Sequence, residues 1–230
     1  MAALEAAAVS LAALRDAPQS IRLHVLPILG DRWLVPRFTG FAERHPEIDV
    51  QFTTFVTSDV AEEADGVFRF GEGVWPGHDA DYLFGRTVLL VGAPHLLQRQ
   101  GPLATPADVA RFPMLEHFQT PLRWSEFTQA HGLDAITPSH TIRFGFYALV
   151  IRAAIFGQGL ALVPKRLVEE ELASGKLVNP CGLHFESRHV YYFTTPKGRR
   201  PKRELRLFRD WLIAEAGQTG GLAPAKELDA

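Results

Sequence analysis

Two periods of hydrophobic positions meet in residues 20 to 52, SIRLHVLPILGDRWLVPRFTGFAERHPEIDVQF. Ile21, Leu23 and Val25 alternate with Arg22 and His24, and the chain then turns fully apolar, which predicts a strand entering a buried sheet. Leu29, Gly30 and Asp31 read as a turn. Asp31 is the N-cap candidate, because its carboxylate can accept from the free N–H groups of a first helical turn. Leu34, Val35, Phe38, Phe41 and Ala42 then fall on one helical face. Pro36 sits about a turn too deep for Asp31 to be a simple cap, so the helix begins later or starts as a tighter turn. His45-Pro46 ends it, and Ile48, Val50 and Phe52 alternate with polar neighbours as a second strand. A polar helix N-terminus at the end of a sheet suits a small ligand, most readily one with an anionic group.

The alternation continues along the chain. Residues 1 to 17 are alanine-rich and helix-prone, with Leu4, Ala7, Leu11 and Leu14 on a short seam, either a solvated tail or an oligomer contact. Residues 59 to 65 predict a short acidic helix, 66 to 70 a strand, 71 to 77 a turn cluster and 84 to 91 a buried strand. Thr105, Pro106 and Asp108 open a helix. A strand at 114 to 118, a helix at 124 to 131 and a strand through Ile142 and Phe144 follow. Residues 148 to 156 are apolar nearly all round, which predicts a buried helix, capped by Gly157 before a buried strand that ends at Pro164. Residues 165 to 175 read as one helix and 190 to 195 as a strand. Leu205, Phe208, Trp211 and Leu212 give a closing amphipathic helix. The pattern is of the α/β class.

Composition narrows the function classes. A chain of 230 residues can build one large or two small domains. With 47% hydrophobic residues and a net charge of -2, it reads as a soluble globular protein with no global signal for nucleic-acid binding. The single cysteine, Cys181, excludes an internal disulfide and a cysteine metal cluster, and points to a reducing, cytoplasmic compartment. No apolar run approaches the roughly 20 residues that span a bilayer, and the first residues lack the basic region of a signal peptide. The histidines show no metal-ligand spacing. No GxSxG, reactive cysteine or acid–base pair at useful spacing is present, so no catalytic residue, cofactor or metal is expected. The basic run Lys197, Arg199, Arg200, Lys202, Arg203 and Arg206 reads as a solvated loop and outer helix face rather than a nucleic-acid patch, since no aromatic residues interleave it.

Local motifs carry a resemblance. The pattern LP…F…HP.I.V follows the first strand, DGVFRFGEGVWPG spans Asp65 to Gly77, and residues 144 to 164 fit aA..G.Gval.P. Over roughly residues 20 to 216 the chain resembles the effector-binding domain of LysR-type transcriptional regulators, in the subgroup similar to the glycine-cleavage and beta-lactamase regulators. The resemblance implies two Rossmann-like lobes joined by a two-strand hinge, the type 2 periplasmic-binding-protein fold. Lobe I would be 20–91 plus 196–217, lobe II 92–195, residues 1–17 the end of a linker helix and 218–230 a disordered tail. It implies a homodimer or homotetramer with a small-molecule effector held where the lobes face each other. DNA would be reached only through a winged helix-turn-helix absent from this chain, which is then truncated or partial. A transport solute-binding protein of the same architecture is the alternative.

The resemblance also implies the site. Its positions here are Leu29, Gly30 and Asp31 after the first strand, and Thr57 and Ser58 after the second. The other half supplies His117 and Phe118, then Gly145, Phe146 and Tyr147 at the start of the buried helix, with Tyr192, Phe193 and Thr194 at the return hinge. Each has a packing or capping role open to it as well. Many relatives carry a serine or threonine near Leu29 or Phe146. The apolar and acidic residues here point instead to a larger, partly aromatic or cationic ligand, stacked on Phe118, Phe146 or Tyr147 and held by Asp31.

Overall fold

The computed structural model describes residues 19–54, 64–133, 140–198 and 200–218. The expected helix at 1 to 17, most of the acidic helix at 59 to 65, the tail after Gln218, and the ligand candidates Thr57 and Ser58 lie outside the described residues. The chain divides into two compact α/β units. Unit 1 runs through Arg69, then takes Gly73–Leu83 and the chain from Tyr191 onward; unit 2 is Phe70–Glu72 and Phe84–Val190.

In unit 1, β1 (Ser20–His24) lies between β2 (Asp49–Thr53) and β3 (Gly66–Gly71) and runs parallel to both. With β4 (His78–Phe84) and β10 (Val190–Pro196) the sheet order is β2-β1-β3-β10-β4. Ile21 and Leu23 are fully buried, while Arg22 and His24 are only half-buried, as the alternation requires. An aromatic chain fills the core. Phe68 meets Phe193 at 5.0 Å between ring centroids, Phe193 meets Phe208 at 5.9 Å, and Phe208 meets Phe41 at 5.3 Å. The closing helix (Arg203–Gln218) supplies Phe208 and Trp211 to this core. It is tied to β4 by a two-pronged ion pair, Arg209 Nε donating to Asp81 Oδ2 at 2.6 Å and Nη2 to Oδ1 at 2.5 Å.

The first helix begins earlier than the sequence reading expected. Asp31 is not its cap. Leu26 is extended (φ −66°, ψ 129°) and Pro27 takes the first helical position, where its missing N–H costs nothing. Helical backbone then continues through Pro27–Leu29, a π turn at Gly30–Leu34 and an α-helix at Val35–Arg44. The π turn answers Pro36. In unbroken α geometry its ring would crowd the carbonyl of Arg32 and leave that carbonyl without a donor. Instead the Val35 N–H reaches five residues back to Gly30 O, and the helix absorbs the proline.

Unit 2 holds β5 (Thr87–Val91), β6 (Pro113–His117), β7 (His140–Phe144), β8 (Leu160–Pro164) and β9 (His184–Glu186) in the order β7-β6-β8-β5-β9. β6 is parallel to β7 and β8, and β5 is antiparallel to β8 and β9. Phe112, Phe127, Leu90 and Leu160 sit in its core with no exposed surface. The strand expected at 84 to 91 is two strands. β4 ends at Phe84, Gly85 takes φ 112°, and β5 starts at Thr87. β5 belongs to the sheet of unit 2 and β10 to that of unit 1, and the chain passes from one unit to the other at 69/70, 72/73, 83/84 and 190/191. A strand joins the sheet whose ladder it completes, and periodicity alone carries no record of its partner.

Three further expectations change. Pro106–Arg111 is a 3₁₀ turn, pinned by Asp108 Oδ2 accepting from the Thr105 N–H at 2.7 Å, a bond that also holds the Asp108 carboxyl below its ordinary pKa. The helix expected over 165 to 175 breaks at Val168 (φ −135°) into a 3₁₀ turn at Lys165–Leu167 and an α-helix at Glu169–Ala173. The helix Tyr147–Ile155 is not apolar all round in use, since Leu149 stays 45% exposed.

Candidate ligand-binding site

In unit 1 the candidates gather at the carboxyl ends of the strands. His24 ends β1, Thr53 ends β2, and the Val25 N–H donates to Thr53 O at 2.9 Å, so the chain leaves the sheet under control. Gly30 N donates to Leu26 O at 2.9 Å, closing the first helical turn. Leu29 is fully buried, so what it offers a ligand is backbone. Asp31 sits inside the helical run, its side chain 71% exposed and 3.4 Å from Arg32 Nε. Tyr192 is 8% exposed and packs on Trp75 and Tyr82 at 5.4 and 5.9 Å. Gly73 makes that packing possible. It takes φ 92°, and a Cβ there would stand 2.6 Å from the Tyr192 hydroxyl. Phe193 is fully buried between Phe68 and Phe208, a core residue with no free face for a ligand.

Two residues that the sequence reading did not single out complete this region. Arg69 of β3 is part-buried. Its Nε donates to Thr194 Oγ1 at 3.1 Å, and that hydroxyl donates to Val67 O at 2.9 Å. The Arg69 guanidinium lies 5.8 Å from the centre of the Trp75 ring. Burial lowers its pKa. His24 is also held below its ordinary value, first by burial and then by the charge of Arg69, against an opposing hydrogen bond with the Thr53 backbone. The signal for Arg69 was in the sequence: a cation inside the apolar run Gly66-Val67-Phe68-Arg69-Phe70 is costly unless it has a task.

In unit 2 the candidates sit after β6 and β7 at the start of the helix Tyr147–Ile155. The His117 Nε2 is 2.9 Å from Gly145 O, and the His117 and Phe118 rings stack at 5.7 Å with 10° between planes. The Phe118 N–H donates to Phe144 O at 3.3 Å, joining the two loops. Phe118 and Phe146 are 53% and 51% exposed. Gly145 keeps the loop close, since a Cβ there would lie 3.3 Å from the Phe118 ring. Tyr147 is committed: its hydroxyl donates to Leu162 O at 2.5 Å and its ring packs against the core. The loops therefore present an aromatic shelf made by Phe118 and Phe146, braced by His117. Among the described residues no group of three or more His, Cys, Asp or Glu could hold a metal.

A family model described as the LysR substrate binding domain matches residues 15–217. The glycine cleavage system transcriptional activator of Escherichia coli K12 is 31% identical over 204 residues, which are 88% of this chain and 67% of that protein. The transcriptional activator AmpR of Pseudomonas aeruginosa is 32% identical over 187 residues, 80% of this chain and 62% of that protein. The solved effector domain of AmpR from Pseudomonas aeruginosa superposes with a TM-score of 0.77 at 28% identity, covering 87% of this chain and 97% of that one. The AmpR effector-binding domain of Citrobacter freundii gives 0.76 at 26%, covering 87% and 99%. The fold is thus the two-unit, periplasmic-binding-protein-like fold of those effector domains, and the chain belongs to the LysR substrate-binding domain family of transcriptional regulators.

Proposed function

We propose that this chain is the effector-binding and oligomerisation module of a cytoplasmic LysR-type regulator. It binds a small molecule, and each unit taken by itself offers a candidate surface for it: the strand-end region of unit 1 and the aromatic shelf of unit 2. Family membership supports the class of function. The observation that supports the site is the pair of phenylalanines, Phe118 and Phe146, left more than half exposed on adjoining loops. Large apolar side chains clustered at a surface mark a place where something docks. By its differential affinity the ligand favours one arrangement of the units, and a regulator paired through this module passes that preference to its DNA-binding heads. The protein holds and releases its ligand without chemistry; its relatives are regulators, which also disfavours a transport role. Among the described residues no helix is long and apolar enough to cross a membrane.

The test is thermal denaturation against a panel of small metabolites of every charge. Compounds that bind raise the melting temperature in proportion to concentration over affinity. Phe146→Asp is expected to abolish that rise while leaving the unliganded melting temperature within about 2 °C, since an exposed substitution costs little. A variant that unfolds, or that responds to the panel like the parent, removes Phe146 from the site. Gel filtration of the parent is expected to show a dimer or larger; a monomer contradicts the oligomerisation role.

A further inference from the structure

Arg69 is placed where a ligand's charge would be read. Val67 pairs with His24 at the end of β1, so Arg69, two residues on, stands beyond the carboxyl end of that strand, where the chain turns into its first helix at Pro27. Its orientation is set from both sides. Thr194 is fully buried, accepts from Nε and is itself anchored to Val67 O, while Trp75 lies against the guanidinium. This leaves the fork of two terminal nitrogens, and among the described residues no carboxylate pairs with it. The acids flanking the strand are engaged elsewhere: Asp65 accepts from the Arg22 N–H at 2.9 Å and pairs with Lys202 at 3.3 Å, and Glu72 lies 3.5 Å from His189 Nε2. His24, at the end of β1, is held below its ordinary pKa, first by burial. A part-buried guanidinium with no counter-ion costs free energy that an arriving anion returns.

We propose that Arg69 receives a carboxylate group of the effector on its Nη1/Nη2 fork, so that the effector is an anion. This rests on the reading of the chain as an effector module. It replaces the cationic ligand that Asp31 suggested, because Asp31 is solvent-exposed and lies beside Arg32. A planar, fixed fork matches a carboxylate better than it matches a neutral amide, which offers a single acceptor and no charge. Thr194 is a positioning residue: it aims the fork and leaves the charge unchanged.

The experiment titrates the whole chain with benzoate, phenylacetate and succinate, with the matching amides, and with benzylamine, and follows melting temperature and tryptophan fluorescence. The carboxylates are expected to bind about ten- to a hundredfold more tightly than their amides. Arg69→Gln, checked for folding by circular dichroism, is expected to erase that preference. Arg69→Lys keeps the charge but loses the fork, and retains only part of the preference. Thr194→Val weakens carboxylate binding by less than Arg69→Gln does. If Arg69→Gln does not fold, the selectivity of Arg69→Lys decides, and a ratio equal to the parent's overturns the proposal. Carboxylates that bind Arg69→Gln as tightly as the parent, or amides and amine that bind as well as the carboxylates, overturn it too and leave the effector module standing. If no compound of any charge binds, the module reading falls and takes the proposal with it.

Discussion

The two units present unlike surfaces at the ends of their strands. Unit 1 offers a fixed cation and side chains already spent on its own core: Tyr192 on Trp75 and Tyr82, Phe193 between Phe68 and Phe208. Unit 2 offers two exposed phenylalanines and a stacked histidine. Both are strand–loop–helix junctions, yet aromatic residues are core in one and surface in the other. Neighbours decide which. In unit 1 the closing helix brings Phe208 onto Phe193 of the sheet and Trp211 onto Phe38 and Phe41 of the first helix, whereas Phe118 and Phe146 lie on loops and keep about half of their surface in solvent.

That contrast can be broken by substitution. Phe193→Ala is expected to cost about 3–5 kcal/mol in urea unfolding, the range for emptying a buried phenylalanine site. Phe118→Ala is expected to stay within about 0.5 kcal/mol. Equal costs at the two positions would dissolve the distinction between core and shelf. The pH response of His24 gives a smaller effect. Its folded pKa lies below the ordinary 6.5, so as pH falls through 6.5 the unfolded chain takes up a proton that the folded chain refuses. Stability present above that value is lost as pH drops toward the folded one. His24→Gln is expected to flatten the fall in melting temperature between about pH 7 and pH 5.5. Identical slopes for parent and variant would show that the burial of His24 has no energetic consequence.

Much of the fold was legible. The alternation at Ile21, Leu23 and Val25 and the helical face through Phe38 and Phe41 follow directly from period two and period 3.6. The closing helix was likewise visible in Leu205, Phe208 and Trp211. What failed has local causes. Pro27 as an opening residue was overlooked because Asp31 is the commoner cap type, and a π turn leaves no periodic trace. β4 escaped notice because His78-Asp79-Ala80-Asp81 is polar, as an edge strand is allowed to be. For the site, the loops after β6 and β7 were placed by family resemblance. Whether Tyr147 or Phe146 faced solvent depended on Leu162 O, a partner remote in sequence. Arg69 lies inside a strand, whereas the positions that the family resemblance implies lie on loops and at the hinge, so no motif pointed to it.

The central claim is that effector binding involves the strand-end region of unit 1 and the aromatic shelf of unit 2. Hydrogen–deuterium exchange of the whole chain, with and without the tightest binder from the metabolite panel, tests it most directly. Binding is predicted to slow exchange together at two places: the amides of residues 26 to 30 and 69 to 70 in unit 1, and those of residues 117 to 118 and 145 to 148 in unit 2. Protection confined to one unit, or found elsewhere, would contradict the account.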